Sequence, residues 1–427
     1  MSSYRDRGFA SGLPMPTSCY IPALYPAVSL SFMLIVFLSL SVAIGSAQKL
    51  KTLYSFTGGV DGKWPWAGQL FLDAKGNLYG TTLRGGVNGN GVMFKVNPMG
   101  QETVLHDFLA SEGCEPLGLL RDGKGNFYVP NWLCGIYGYG TIFELTKQGV
   151  GIVQYSFTGG ADGGEVEPGL TRDALGNLYG ETQIGGDLTC LDAGCGTVFE
   201  VTSSGTQIVL YTFKGGTDGG APSGGLLHDG KGNLYGTTAV FGDACCGTVF
   251  ELTPPGTYEV KFSFDYADGS APGSRMVRDS KGNLYGTTGG GGTSENGTIF
   301  ELTKKGTVIV LHNFTGGADG AGPYGGIIRD TKGNLYGTTF QGAGSGCGGI
   351  GCGTVYEVDP AGNFTVLHTF TGKADGGQPD SSLVLDKHGV LYGTTSIGGK
   401  YDVGTVFVLT PQGLNLRNIA VALNNPD

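Results

Sequence analysis

Seven acidic residues, each followed directly by glycine, recur along the chain: Asp61, Glu112, Asp162, Asp218, Asp268, Asp319 and Asp375. Six keep the spacing acid-Gly-x-x-Pro, and the third inserts two residues that add Glu165 and Glu167. Carboxylates in this pattern admit two chemistries. In the first they are turn formers, with Asp capping the turn, Gly taking positive φ, and Pro opening a strand where no donor is needed. In the second, Asp61, Asp162, Asp218, Asp268, Asp319 and Asp375 offer hard oxygen ligands to a cation such as calcium. No dense Asp-x-Asp-x-Asp run accompanies them, and the turn reading is favoured.

Sulfur is the second candidate chemistry. Beyond Cys19 near the N-terminus there are eight cysteines, an even number. Zinc is disfavoured, because neither Cys-x-x-Cys spacing nor a partnering His pattern is present. Disulfides are expected as Cys114–Cys134, Cys190–Cys195 and Cys347–Cys352, with a vicinal Cys245–Cys246 bond as the fourth. Aromatic chemistry is concentrated as well. All three tryptophans, Trp64, Trp66 and Trp132, fall in the first two repeating units, and Tyr137 and Tyr139 follow closely. Together with Glu165 and Glu167 they form the candidate ligand-binding set, suited to stacking on sugar rings or to a protein partner.

Acid–base catalysis finds no constellation. His106, His312 and His368 stand where Tyr54, Tyr155 and Tyr211 stand in other units, so they substitute for a packing residue. A Ser-His-Asp arrangement cannot be built from the spacing, and no phosphate loop or dinucleotide fingerprint is present. No cofactor is expected, calcium at the loop acids being the alternative.

These residues are positioned by a repeat. Gly76-Asn77-Leu78-Tyr79-Gly80 returns around Tyr179, Tyr235, Tyr285 and Tyr336, with variants around Tyr128 and Tyr392. The tyrosines are about fifty residues apart, the length of one propeller blade. Each unit reads as four strands, named A to D. Examples are 68–73 (A), 77–82 (B), 247–253 (C) and 153–157 (D). Asp73-Ala74-Lys75-Gly76-Asn77 is a tight A–B turn, and an Asp recurs there in every unit as a structural residue. The Gly of strand B is expected to make room for an aromatic ring of the adjacent blade, and Phe213 and Phe250 to fill the space between blades. The fold expected is all-β, a seven-bladed β-propeller of four-stranded antiparallel blades.

Seven copies of A, B and C are present, but the chain opens with a strand D, 50–56. The ring is therefore expected to close through this N-terminal strand. A second candidate closing strand lies at 415–423 in the tail. In an up-and-down blade the B–C and D–A loops emerge at one end, so the eight cysteines, the loop acids and the tryptophans map to one face.

The units, of the form Leu53-Tyr54-Ser55-Phe56-Thr57-Gly58-Gly59, then Gly76-Asn77-Leu78-Tyr79-Gly80-Thr81-Thr82, then Gly247-Thr248-Val249-Phe250-Glu251-Leu252-Thr253, resemble the Gloeo-Verruco (GloVer) tandem repeats. The resemblance covers about residues 50–410. It implies an exported bacterial protein of the kind described by its choice of anchor, and it brings no catalytic residues.

Residues 1–47 read as an export leader. A weakly basic start is followed by an apolar run over 27–44 and a small-x-small cleavage pattern ending at Ala47, with an uncleaved anchor as the alternative. Residues 48–410 then form the propeller and 411–427 a tail. The formal net charge of −10 becomes −11 without the leader, with 24 basic residues against 35 acidic. An acidic chain without a basic stripe excludes nucleic acid as partner. The expectation is a monomer, secreted or in the cell envelope, touching membrane only through an uncleaved leader. Its expected role is a non-enzymatic binding module for a glycan or protein ligand on the cysteine-bearing face. A carbohydrate-active hydrolase or lyase and a structural envelope or matrix protein are the alternatives.

Overall fold

The computed structural model describes residues 49–66, 68–253 and 256–410. The leader and the tail, including the candidate strand at 415–423, lie outside them. The described residues form seven antiparallel sheets, each with the order A-B-C-D, arranged as a seven-bladed β-propeller. Strand B of blade 1 is Leu78–Thr82 and its strand C is Val92–Val96. In blades 2 and 3 strand A is broken in two, as Cys114–Pro116 with Leu120–Arg121 and Gly164–Val166 with Thr171–Arg172.

The ring closes as expected. Lys49–Ser55 pairs antiparallel with Thr405–Thr410, with Lys49 opposite Thr410 and Ser55 opposite Thr405. The first strand of the chain is thus the outer strand of blade 7.

Aromatic rings hold the blades together. The Phe that follows each strand D meets the strand-C aromatic of the next blade. Phe56 lies 5.0 Å from Phe94, Phe108 lies 5.1 Å from Phe143, and Phe370 lies 5.2 Å from Phe407. All seven such pairs are edge-on or tilted, the arrangement that ring quadrupoles favour. These Phe residues are almost fully buried, and each contributes roughly 1.5–3 kcal/mol by leaving water.

One expectation is corrected. The ring over the strand-B glycine belongs to the same blade. Gly80 is paired with Phe94 across the ladder, and a Cβ on Gly80 would come within 2.6 Å of that ring. Gly286 stands in the same relation to Phe300. Period-two alternation fixes the face on which a side chain lies but not the strand that fills the gap.

The A–B turns behave as read. Asp73 accepts from the backbone N–H of Lys75 and Asn77, from the Asn77 amide, and from the Tyr79 hydroxyl at 3.1 Å. At the other end of the blades the B–C and D–A loops meet. Lys63 bridges Arg84 in blade 1, and Gly377 bridges Ile397 in blade 7. Both loop sets therefore share one face.

Strand A is innermost. Its glycines touch those of neighbouring blades, Gly68 against Gly118 and Gly169 against Gly225, around a central channel. A Cβ on Gly118 would stand 2.7 Å from the Gly68 Cα, so any side chain there would force the strands apart.

Candidate functional site

The loop acids are held by the strand that precedes them. Asp162 accepts from the Tyr155 hydroxyl at 2.9 Å, from the Thr158 N–H at 2.9 Å and from the Thr158 hydroxyl. Tyr54 with Asp61 and Tyr211 with Asp218 repeat the contact. Histidine replaces tyrosine in the remaining pairs: His106 with Glu112, His312 with Asp319 and His368 with Asp375. Blade 5 differs. Phe262 takes the tyrosine position, Asp265 accepts the turn's N–H groups, and burial beside Asp265 pushes the Asp268 carboxyl up. Among the described residues no three His, Cys, Asp or Glu side chains group as metal ligands would. The hydrogen bonds supply the turn role that the sequence favoured.

Three disulfides form on this face, Cys114–Cys134, Cys190–Cys195 and Cys347–Cys352. The first ties a D–A loop to a B–C loop, and the others each close one B–C loop. Cys245 and Cys246 stand side by side in the fourth B–C loop, Cys246 buried.

Nearer the axis, the residue before the strand-A proline has positive φ in every blade. These residues are Trp64, Glu115, Glu165, Ala221, Ala271, Gly322 and Gln378, with φ between 48° and 61°. Each donates its N–H to a loop carbonyl of the preceding blade, as Trp64 does to Val403 and Gln378 to Cys352. In blade 3 the proline position is held by Val166. Its side chain packs at Gly140 as Pro116 packs at Gly91. The insertion read from the sequence at Glu165 and Glu167 is therefore absent.

The residue after that proline stands on the innermost segment of each blade. The seven are Trp66, Leu117, Glu167, Ser223, Gly273, Tyr324 and Asp380. No two are alike, although the flanking positions repeat closely. Trp64, Trp66 and Trp132 pack with Leu83 and Leu117 as one cluster. Trp66 of blade 1 reaches Phe340 of blade 6, with ring centroids 5.9 Å apart, and Tyr324 lies 6.1 Å from Phe340. The tryptophans thus form an aromatic lid on one side of the mouth. Tyr137 and Tyr139 stand apart, 56% and 41% exposed, with Tyr139 against Gly159 of the next loop.

Several of these positions are polar. Glu167 is 1% exposed, and neither carboxyl oxygen has a partner. Burial, with Glu181 and Glu165 nearby, pushes its carboxyl well above the usual range. Burial likewise pushes Asp380 well up. The Ser223 hydroxyl and the Trp66 indole N–H are also buried and unpartnered. Glu181 projects toward blade 4, where it accepts from the Gly225 N–H at 3.1 Å, and burial pushes its carboxyl up to about 8. In blade 1 the same position is Thr81, which accepts from Gly118 N–H and donates to the Pro116 carbonyl. Sequence reasoning missed Ser223, Tyr324, Phe340, Asp380 and Glu181. A comparison of the units for the position that varies most would have found the rim.

The chain matches the Gloeobacter/Verrucomicrobia repeat over residues 42–191 and again over 134–351. It belongs to that repeat family. No curated protein matches its sequence. Among solved structures, it is similar to the extracellular domain of a hybrid two-component system from B. thetaiotaomicron. The TM-score is 0.55 at 14% identity, covering 89% of this chain and 42% of that one. It is also similar to the extracellular domain of a one-component system from B. thetaiotaomicron. There the TM-score is 0.53 at 9% identity, with 85% and 40% covered. The chain therefore spans about two-fifths of those proteins, and the likeness speaks for the fold alone.

Proposed function

We propose that this member of the Gloeobacter/Verrucomicrobia repeat family is an exported binding module that takes a sugar ligand at the mouth of its central channel. The observation that carries this reading is the rim. Six unlike side chains and one glycine stand at this position in an otherwise repetitive scaffold, and buried polar atoms of Glu167, Ser223 and Trp66 are left without partners. An unpaired buried polar group costs roughly 1–3 kcal/mol, which a ligand's hydroxyls would recover. Aromatic faces beside polar groups suit a pyranose ring. Among the described residues, 18 large apolar side chains are exposed; eleven lie in the loops of this face and three in the turns of the opposite one. That asymmetry supports this face as the one that meets a ligand. The disulfides support an oxidising, extracytoplasmic location.

A glycan array with purified protein tests the reading. Binding to a defined glycan class is expected, weakened at least tenfold by Trp66→Ala and unchanged by Tyr137→Ala. The absence of binding to any glycan, or indifference to Trp66→Ala, overturns it.

A further inference from the structure

The end of the blades opposite the mouth carries a different chemistry. In five blades the second residue after the A–B turn aspartate is a lysine: Lys75, Lys124, Lys231, Lys281 and Lys332. Each donates its backbone N–H to that aspartate at 2.8 or 2.9 Å. The five turns therefore share one form and leave five exposed lysine side chains at equivalent places. Blade 7 has His388 there with Lys387 beside it, both exposed. The C–D turns reach the same end. The N–H groups of Lys147 and Lys304 donate to the Asn126 and Asn283 side chains of the A–B turns, at 3.0 and 3.1 Å. Both lysines and Lys305 are exposed. Among the described residues none of these nine lysines is held in an ion pair. The acids of the same turns are partly or wholly buried, as Asp279 is while it accepts from the Lys281 and Asn283 N–H groups. Arg121, Arg172, Arg278 and Arg329 end strand A here, each over an aromatic ring of the preceding blade. The loops at the mouth show the reverse balance. Their exposed acids include Asp192, Asp243, Asp265, Glu295 and Asp402, beside the exposed lysines Lys214, Lys373 and Lys400. The net charge of −10 thus conceals a molecule with a basic end.

We propose that this basic end docks on the surface of an anionic lipid bilayer and leaves the channel mouth facing the surrounding solution. Lysines beside an anionic bilayer are attracted by its surface potential. Equivalent turns repeated around a ring present their tips to a plane, and a bilayer is planar. Charge alone would serve any polyanion, but the turns carry apolar tips as well. Met99, Val150 and Leu175 are exposed among the lysines, in the adjacent blades 1, 2 and 3. Leu175, 79% exposed, takes the place that lysine holds in five other turns. Apolar groups set among cations are what the headgroup layer accepts, the first buried at its acyl boundary and the second held at its charged surface. The first strand of the propeller also starts at this end, with Lys49 exposed opposite Thr410. The bilayer surface lies opposite the sugar site, so this proposal stands independently of that reading.

Co-sedimentation of the exported protein with vesicles tests it. One set of vesicles is phosphatidylcholine alone, and the other includes about one-third phosphatidylglycerol. The anionic vesicles are expected to bind at least about tenfold more tightly. That preference should shrink as salt shortens the Debye length. Lys75→Glu, Lys124→Glu and Lys147→Glu combined should abolish it. Lys214→Glu, Lys373→Glu and Lys400→Glu combined make the same change in net charge at the mouth end and should leave it in place. Leu175→Ser should weaken binding to the anionic vesicles severalfold. Equal binding of the two kinds of vesicle, or no binding to either, overturns the proposal. An equal loss of preference in both triple variants shows that net charge and not this end is at work, and it too overturns the proposal. Heparin serves as a soluble polyanion. Heparin binding that depends on Lys75, Lys124 and Lys147, without binding to the anionic vesicles, identifies a polyanion site in place of a lipid one. Melting temperatures of the variants at wild-type level establish that the ring is folded.

Discussion

At the scale of single residues, the acids of this protein divide by what surrounds them. Asp162 gains three donors from the strand and turn that precede it, and its loss leaves the Tyr155 hydroxyl unpaired. Asp162→Ala is expected to cost about 1–3 kcal/mol by chemical denaturation. The cost should be the same in EDTA as in calcium. A destabilisation seen only with calcium present would favour the metal reading. Asp268→Ala should stay within about 0.5 kcal/mol of wild type, because Phe262 offers it no hydroxyl. Glu181 belongs to a different class. It stands where blade 1 has Thr81, accepts from the Gly225 N–H through one oxygen, and keeps the other buried without a partner. Its folded pKa of about 8 lies above the unfolded value, so the native state binds the extra proton. The stability it contributes is therefore fully present below about pH 4.3 and is lost as pH rises through about 8. Glu167 and Asp380 shift in the same direction. The melting temperature should fall between pH 5 and pH 8. Glu181→Thr should flatten that fall, gaining on the order of a few kcal/mol at pH 8 and little at pH 4.5. A melting temperature independent of pH, in wild type and variant alike, would refute the assignment.

At the scale of elements, the disulfides act on loops of unequal length. Cys114–Cys134 spans 20 residues and clamps a D–A loop to a B–C loop, whereas Cys190–Cys195 spans 5. Loop-closure entropy makes the first worth about 3 kcal/mol and the second about 2. Double serine replacement should therefore cost more at 114 and 134, measured by denaturant midpoint under non-reducing conditions. Peptide mapping of the same samples tests the vicinal Cys245–Cys246 bond, expected as a peptide two hydrogens lighter than its dithiol. These staples were legible in the sequence because cysteine pairs announce themselves by spacing within a known loop. The blade strands were legible for a similar reason, since Tyr79, Gly80 and the A–B turn Asp73 recur in unit after unit. The rim was only partly legible. Trp66 and Glu167 drew notice as unusual residues, but Ser223, Tyr324 and Asp380 did not. A search for what repeats discards the one position defined by not repeating. The third loop was misread because Pro168 invited alignment with the other prolines, while packing gives that place to Val166.

At the scale of the whole molecule, the stability of the ring depends on its closure. Each blade buries aromatic rings against the next, so blade 1 needs a blade 7 to cover it, and blade 7 is complete only with Lys49–Ser55 in place. Without that strand, Thr405–Thr410 would present an unpaired edge and Phe94 would lose Phe56. The core cluster that joins Phe56, Leu70, Phe94, Tyr392 and Val406 would open to water. Loss of Phe56 alone corresponds to roughly 3–5 kcal/mol, and six ladder pairings are lost with it. That total is comparable to the net stability of a whole domain. Deletion of residues 50–56 is therefore expected to unfold the ring as a unit, seen as loss of the cooperative melting transition and of near-ultraviolet circular dichroism. A milder variant guards against a trivial failure to fold. Phe56→Leu keeps the strand and its ladder and should lower the melting temperature without abolishing cooperativity. If the deletion melts cooperatively at the wild-type temperature, another strand closes the ring, and the segment at 415–423 becomes the candidate.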